Sequence, residues 1–116
     1  MSSTQRENYV DLYLLPVPQA NLDAYRRQAT LFGQVAREHG ALSYREYVGD
    51  DLGDWTHVED GAAMTAAVAE FTSRAHRDEV MERVLADPRV KALMEGESPA
   101  DMSRMRYGGF APFVVA

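Results

Sequence analysis

Hydrophobic periodicity changes along this chain from two residues to about 3.6 residues and back, and the order of these changes limits the fold most. Residues 9–15 alternate, with Val10, Leu12 and Leu14 on one side, as is typical of a strand. Residues 22–39 carry apolar side chains at helical spacing, and Gly40 stands where a helix ends. The same patterns predict strands at 42–48, 64–71 and 107–115, and helices at 74–86 and 88–94. The three alanines of 64–71 would suit a helix equally well.

The predicted order, β-α-β-β-α-β with a short extra helix, is typical of a ferredoxin-like α+β domain. We expect a four-stranded antiparallel sheet in the strand order 4-1-3-2, with helices on one face. Asn21, Ser73 and Asp87 are the expected helix N-caps. A length of 116 residues suits one domain, which we place at residues 9–116 after a flexible N-terminus at 1–8.

Composition argues against several classes of function. A net charge of −6 without a basic face argues against binding to nucleic acid or to anionic membranes. The absence of cysteine excludes thiolate chemistry and cysteine-based metal sites, and it favours the cytoplasm. His57, among scattered acids, lacks metal-ligand spacing. We therefore expect no metal, no cofactor and, without a long apolar stretch, no membrane span.

Short motifs distributed along nearly the whole chain resemble the YbaA-like family, DUF1428, whose function is unknown. They are LPVP at 15–18, AYRR at 24–27, EHGAL at 38–42, YRE at 44–46, VGDD at 48–51, SRAHR at 73–77, ADPR at 86–89 and YGGF at 107–110. The resemblance implies a homodimeric α/β-barrel in which two four-stranded sheets meet face to face with the helices outside. It implies no activity, because the family has none established.

Two acidic residues on predicted central strands are candidates for catalysis. The apolar side of the first strand is expected to pack on the helices, so Asp11 would point into the barrel or the dimer interface, and Glu70 would join it. Two carboxylates held together away from water raise one pKa, which produces a general acid or base. The alternative, in which both acids pair with arginines or face solvent, stays open.

His76, near the start of a predicted helix, is a candidate proton shuttle. The alternative is a hydrogen-bonded histidine with a structural role at the helix start. Trp55 could act as a lid or dimer anchor, with local packing as its alternative. Residues that would bind and orient a substrate are Tyr9, Tyr13, Tyr44, Arg45 and Trp55.

The leading hypothesis is a homodimer that binds a small, partly aromatic organic molecule in the barrel cavity. Small residues on the third strand, Ala66, Ala67 and Ala69, would open that space, unless large aromatic side chains fill it. Catalysis there would need neither metal nor nucleotide and would make the protein an oxygenase, isomerase or cyclase. The alternatives are a non-catalytic ligand sensor and a purely structural dimeric interaction protein.

Overall fold

The computed structural model describes residues 8–54 and 58–116. Its strands are β1 (Tyr9–Pro18), β2 (Ser43–Val48), β3 (Ala62–Phe71) and β4 (Arg106–Phe110), and its helices are α1 (Leu22–Glu38), α2 (Arg74–Ala86) and α3 (Pro88–Glu95). The strands form one antiparallel sheet in the order β2-β3-β1-β4. The predicted fold and strand order are therefore confirmed. The expectations for residues 1–7, Trp55 and His57 lie outside the described residues.

The helices cover one face of the sheet. Buried side chains on that face alternate along β1 and β3, and they pack with α1, α2 and α3 around Val35, Phe71 and Val80. The molecule measures 47 × 37 × 19 Å, so its thickness matches one sheet layer plus one helix layer at about 10 Å each. The other side, which we call the open face, carries Val10, Leu12, Leu14, Pro16, Arg45, Tyr47, Ala66, Val68, Glu70, Arg106 and Phe110.

The predicted orientation of β1 is wrong. The sequence predicts a strand that ends at residue 15, before the prolines, but the strand continues through Pro16 to Pro18. Because β4 pairs only with Val10–Leu14, the proline segment has a free edge, where prolines are tolerated. Leu15 and Val17 are buried against the helix layer, so their side of β1 is the side that faces the helices. That same side carries the residues expected inside the barrel, Tyr9, Asp11 and Tyr13.

Two of the three predicted helix caps are confirmed. The Ser73 side chain accepts from the backbone N–H of His76, and the Asp87 side chain accepts from the N–H of Arg89. Asn21 stands at the N-cap position of α1 without a capping bond, because its amide donates to the Pro99 carbonyl at 2.8 Å. The last strand ends at Phe110 rather than at residue 115, before Pro112, which has no N–H to donate.

Gly33 allows α1 to approach the sheet closely. A Cβ at this position would lie 2.8 Å from Cδ2 of the Tyr44 ring. We expect Gly33→Ala to lower the free energy of unfolding by about 1 kcal/mol net, because overpacking costs ~1–3 kcal/mol against a gain of ~1 kcal/mol in helix propensity. Urea denaturation measures this, with the exposed Arg27→Ala on the same helix as control. A more stable Gly33→Ala protein would contradict the close contact.

A network of ionic and hydrogen bonds joins the end of α1 to the start of α3. Asp87 accepts from the Arg89 side chain at 2.9 Å and from Nε2 of His39 at 2.9 Å, while Arg89 also reaches Glu38 at 2.8 Å. The Arg89 hydrogen bonds hold the pKa of the Asp87 carboxyl well below its usual range, and the His39 bond adds to this effect. Arg89 likewise lowers the pKa of Glu38.

This network predicts how stability depends on pH. A carboxyl whose pKa is depressed in the folded state stabilises the fold above its unfolded pKa, and that stabilisation is lost as the pH falls below it. We expect the melting temperature to fall as the pH drops below about 4, the ordinary aspartate pKa. Asp87→Asn keeps a good capping residue and removes the charge, so its decline should be shallower. Parallel pH profiles for the two proteins would contradict this role of Asp87.

Candidate functional site

A groove of about 700 Å³ lies between α1 and the edge strand β2. We call it the Glu46 groove. It lies on the helix-facing side of the sheet and not inside the expected barrel, because Tyr44 and Glu46 on β2 pair with the buried Ala69 and Ala67 of β3. Its lining residues are Leu22, Tyr25, Arg26, Ala29, Thr30, Gly33, Gln34, Arg37, Glu38, Tyr44, Glu46, Tyr47, Val48 and Thr65.

The Glu46 carboxylate lies between two tyrosine hydroxyls. Tyr25, from α1, donates to Oε1 at 2.6 Å, and Tyr44, two residues earlier on the same strand face, donates to Oε2. Burial raises the pKa of both tyrosines, and the neighbouring Glu46 raises it further. The phenols therefore stay protonated and donate, and the carboxylate is held as an acceptor.

Packing fixes the two tyrosine rings that hold Glu46. The Tyr44 ring lies against Gly33 and packs on Phe32 with the ring centroids 5.7 Å apart. The Tyr25 ring packs on the cluster formed by Leu15, Val17 and Ala100. Because both rings are anchored in the core, the groove has a rigid polar floor, as a pre-organised binding site requires.

Asp11 is part of a buried ion pair on the helix-facing side of β1. Its carboxylate accepts from Arg77 Nη1 at 2.5 Å and from the Tyr13 hydroxyl at 3.3 Å, and its side chain is 6% exposed. The Arg77 guanidinium lies 5.2 Å from the centroid of the Tyr9 ring. Burial raises the pKa of Tyr13, and Asp11 adds to the effect. Asp11 is therefore engaged by α2 rather than directed into a barrel.

Tyr9 and Tyr13 complete this cluster beside β4. Tyr13 stacks on Tyr107 with the ring centroids 5.9 Å apart and the planes 17° apart. Tyr9 lies against Gly109, where a Cβ would come within 2.0 Å of its hydroxyl oxygen. Close approach of an aromatic ring is thus what this glycine permits.

Glu70 and Arg45 lie on the open face. Together with Val10, Ser43, Tyr47 and Val68 they line a shallow pocket of about 200 Å³. Glu70 accepts hydrogen bonds from Ser43 at 2.7 Å and from Asn8 at 3.3 Å. Both bonds lower the pKa of Glu70, and the Ser43 bond has the larger effect. Because Glu70 opposes Val10 while Asp11 opposes Ala69, the two acids lie on opposite faces. The expected carboxylate pair is therefore wrong.

His76 is a hydrogen-bonded histidine at the start of α2, which is the structural role named above as its alternative. Its Nδ1 accepts from the backbone N–H of Thr72 at 3.0 Å, and its ring meets Phe71 edge-on at 5.9 Å. It lines neither the Glu46 groove nor the open-face pocket. Its role as a proton shuttle therefore gains no support from either pocket.

The alanines of β3 face neighbours that are large. Ala67 lies in register between Tyr13 and Glu46, and Ala69 between Asp11 and Tyr44. Both alanines are buried, and neither lines the two pockets described above. Ala66 points the other way, onto the open face. On the helix-facing side, Ala67 and Ala69 lie beside the aromatic residues Tyr13 and Tyr44. This arrangement corresponds to the alternative in which aromatic side chains fill the space that the alanines leave.

Three residues of the Glu46 groove and of the cluster around Asp11 were not predicted as site residues from the sequence: Tyr25, Glu46 and Arg77. Tyr25 reads as one apolar position of an amphipathic helix, although a buried tyrosine hydroxyl requires a partner. Glu46 shares a strand face with Tyr44, which is a weak signal at a period of two. Nothing in the local sequence pairs Arg77 with Asp11, 66 positions earlier. Each contact depends on where a helix lies over the sheet.

Two absences concern the described ranges 8–54 and 58–116. No group of three or more histidine, aspartate or glutamate side chains in these ranges is placed to hold a metal ion. No helix in the same ranges is long and apolar enough to cross a membrane.

Solved structures share the fold at low sequence identity. Rv0793 from Mycobacterium tuberculosis has a TM-score of 0.62 at 13% identity, covering 94% of this chain and 98% of its own. A protein from an uncultured marine organism, described as a dimeric ferredoxin-like protein, has a TM-score of 0.55 at 9% identity, covering 95% and 97%. These likenesses define the class: a ferredoxin-like α+β domain.

Sequence comparison then gives the family. The model of a family described as a protein of unknown function (DUF1428) matches residues 8–102. The uncharacterized protein YbaA of Escherichia coli strain K12 is 32% identical over 115 residues, covering 91% of this chain and 97% of YbaA. The chain belongs to the DUF1428 family, as its motifs predict.

Proposed function

We propose that this protein is a homodimer that binds a small organic molecule in the Glu46 groove, with the Glu46 carboxylate as the polar anchor. The observation that carries the proposal is the carboxylate held by Tyr25 and Tyr44 on the floor of the groove. A volume of about 700 Å³ falls in the usual range for small-molecule sites, roughly 300–1,000 Å³. Apolar walls and a few fixed polar groups are also typical of such sites.

The binding site differs from the one expected inside the barrel. Asp11, the expected base, has its carboxylate engaged by Arg77 and Tyr13. Glu46 forms no ion pair within the described part of the chain. We therefore assign the role of carboxylate anchor to Glu46. If the bound molecule is also a substrate, Glu46 is the base, and Tyr25 and Tyr44 stabilise its charge.

The open face supports the homodimer. An apolar strip that includes the exposed Leu12 and Phe110 and the partly exposed Val68 is left uncovered by the described chain, although monomers rarely expose extended apolar patches. The Cα radius of gyration is 15.3 Å, whereas a compact domain of this length has about 13 Å. The marine protein of the same fold is described as dimeric. A second copy that places its own open face on this one would restore the burial.

Two matched glutamate variants test the location of the site. A library of small aromatic fragments is screened by saturation-transfer NMR against the wild type, Glu46→Gln and Glu70→Gln. We expect binding to weaken by about tenfold in Glu46→Gln, the usual cost of one hydrogen bond to a charged group, and to persist in Glu70→Gln. Loss of binding in Glu70→Gln alone would place the site on the open face instead and reject the proposal.

A further inference from the structure

The chemistry of the groove floor points to the charge of its ligand. We infer that the Glu46 groove takes a small organic ammonium, a primary amine in its protonated form, whose charged nitrogen binds the Glu46 carboxylate. This inference rests on the proposed binding function and adds the ligand class.

The first argument is the uncompensated charge of Glu46. Asp11, Glu38 and Asp87 each have a cationic or histidine partner, and Glu46, in the described residues, has two neutral phenols instead. A half-buried carboxylate without a cation favours one from outside, because burying an unpaired charge is costly. The protein thus keeps an anion available in the groove that its own arginines do not neutralise.

The second argument is the number of free acceptor positions. A carboxylate offers about four lone-pair positions, and the two tyrosine hydroxyls occupy one on each oxygen. Each phenol oxygen donates to Glu46 and retains lone pairs that accept. An ammonium, which has three donors and no acceptor, matches a floor on which the acceptor positions are free and the donors are in use. A second anion would find no free donor on these three side chains.

The third argument is the aromatic lining. The rings of Tyr25 and Tyr44, on the helix-facing side, line the groove. Aromatic faces attract organic cations, and the attraction grows where water is excluded. The groove therefore combines a carboxylate with aromatic side chains, the two kinds of group that recognise ammonium ions in proteins.

Two arginines of α1 also line the groove and oppose a cation there. Arg26 and Arg37 are both exposed, and Arg26 lies 3.9 Å from Asp23. Solvent and salt screen exposed charges strongly, whereas they screen the half-buried Glu46 less. The arginines therefore weaken attraction at the rim more than at the floor.

Three probes of nearly equal shape test the ligand class: benzylamine, benzyl alcohol and benzoate. Each is titrated at neutral pH into ¹⁵N-labelled wild-type protein while the amide signals of Tyr25, Gly33 and Tyr44 are followed. We expect benzylamine to bind about tenfold or more tightly than benzyl alcohol, the usual gain from a charge-assisted hydrogen bond. Glu46→Gln should remove that difference, and Glu70→Gln should leave it intact.

The outcomes separate the ligand class from the site. If benzyl alcohol or benzoate shifts the groove signals at lower concentration than benzylamine, the ammonium inference is wrong and the groove remains a ligand site. If no probe and no fragment shifts them, both the inference and the proposed function are wrong. The comparison of probes on the wild type needs no variant, so it stands even if Glu46→Gln does not fold.

Discussion

Replacing Arg77 with alanine is expected to lower the free energy of unfolding by about 3–5 kcal/mol, the usual cost of removing one partner of a buried ion pair. The Asp11 side chain is 6% exposed and would retain only the Tyr13 hydroxyl at 3.3 Å among its described partners. The Arg77 contact with the Tyr9 ring would also be lost. Since small domains are stable by roughly 5–15 kcal/mol in total, this change should be plain in urea denaturation.

Helix α2 offers a matched control for Arg77→Ala. Arg83 pairs with Glu79 on the same helix, and both side chains are more than half exposed. Arg83→Ala should therefore cost less than about 1 kcal/mol. Adding Asp11→Asn to Arg77→Ala should recover part of the loss, because the unpaired buried charge is removed. Equal losses for Arg77→Ala and Arg83→Ala would show that the Asp11–Arg77 pair does not stabilise the fold.

Replacing Leu12 with lysine is expected to convert the proposed homodimer to a monomer. Leu12 lies on the central strand β1, opposite Val68 and Gly108, in the middle of the open face. It is 36% exposed in the single chain, so a lysine can reach water there, but a second sheet laid over it would bury the charge. Light scattering should give twice the chain mass of 13.0 kDa for the wild type and the chain mass for the variant.

The control for Leu12→Lys is Leu85→Lys on α2. Leu85 is 47% exposed and lies in the helix layer, away from the open face, so this variant should remain dimeric. A wild-type protein that weighs 13.0 kDa at micromolar concentration would rule out the homodimer. A Leu12→Lys protein that stays dimeric would place the interface elsewhere on the surface.

The order of the elements could be predicted because hydrophobic periodicity is local. A period of two or of 3.6 residues is set by backbone geometry, so residues 9–15 and 22–39 indicate their structures without knowledge of the rest of the chain. The direction in which β1 faces was not predictable in the same way. Both sides of the strand carry apolar residues, and the choice depends on Leu15 and on Val17, which lies beyond Pro16, where the sequence predicts the end of the strand.

The candidate site was less predictable because its contacts are distant in sequence. Tyr25 and Glu46 are 21 positions apart, and they meet because Gly33 lets α1 lie close to Tyr44 on β2. Tyr44, singled out in the sequence, does line the groove. The acids singled out with it, Asp11 and Glu70, are separated by the sheet itself. A strand pattern assigns residues to two faces, and only the position of the helices decides which face is which.

The place where a small molecule binds is measured most directly by mapping amide chemical shifts on the wild-type protein. The strongest fragment from the screen is titrated into ¹⁵N-labelled protein, and the shifted amides are located on the fold. We expect them to cluster at Tyr25, Gly33 and Tyr44–Val48, around the Glu46 groove. A cluster at Val10, Val68 and Glu70, on the open face, with no shift at Tyr25 or Gly33, would contradict the assignment of the site to Glu46.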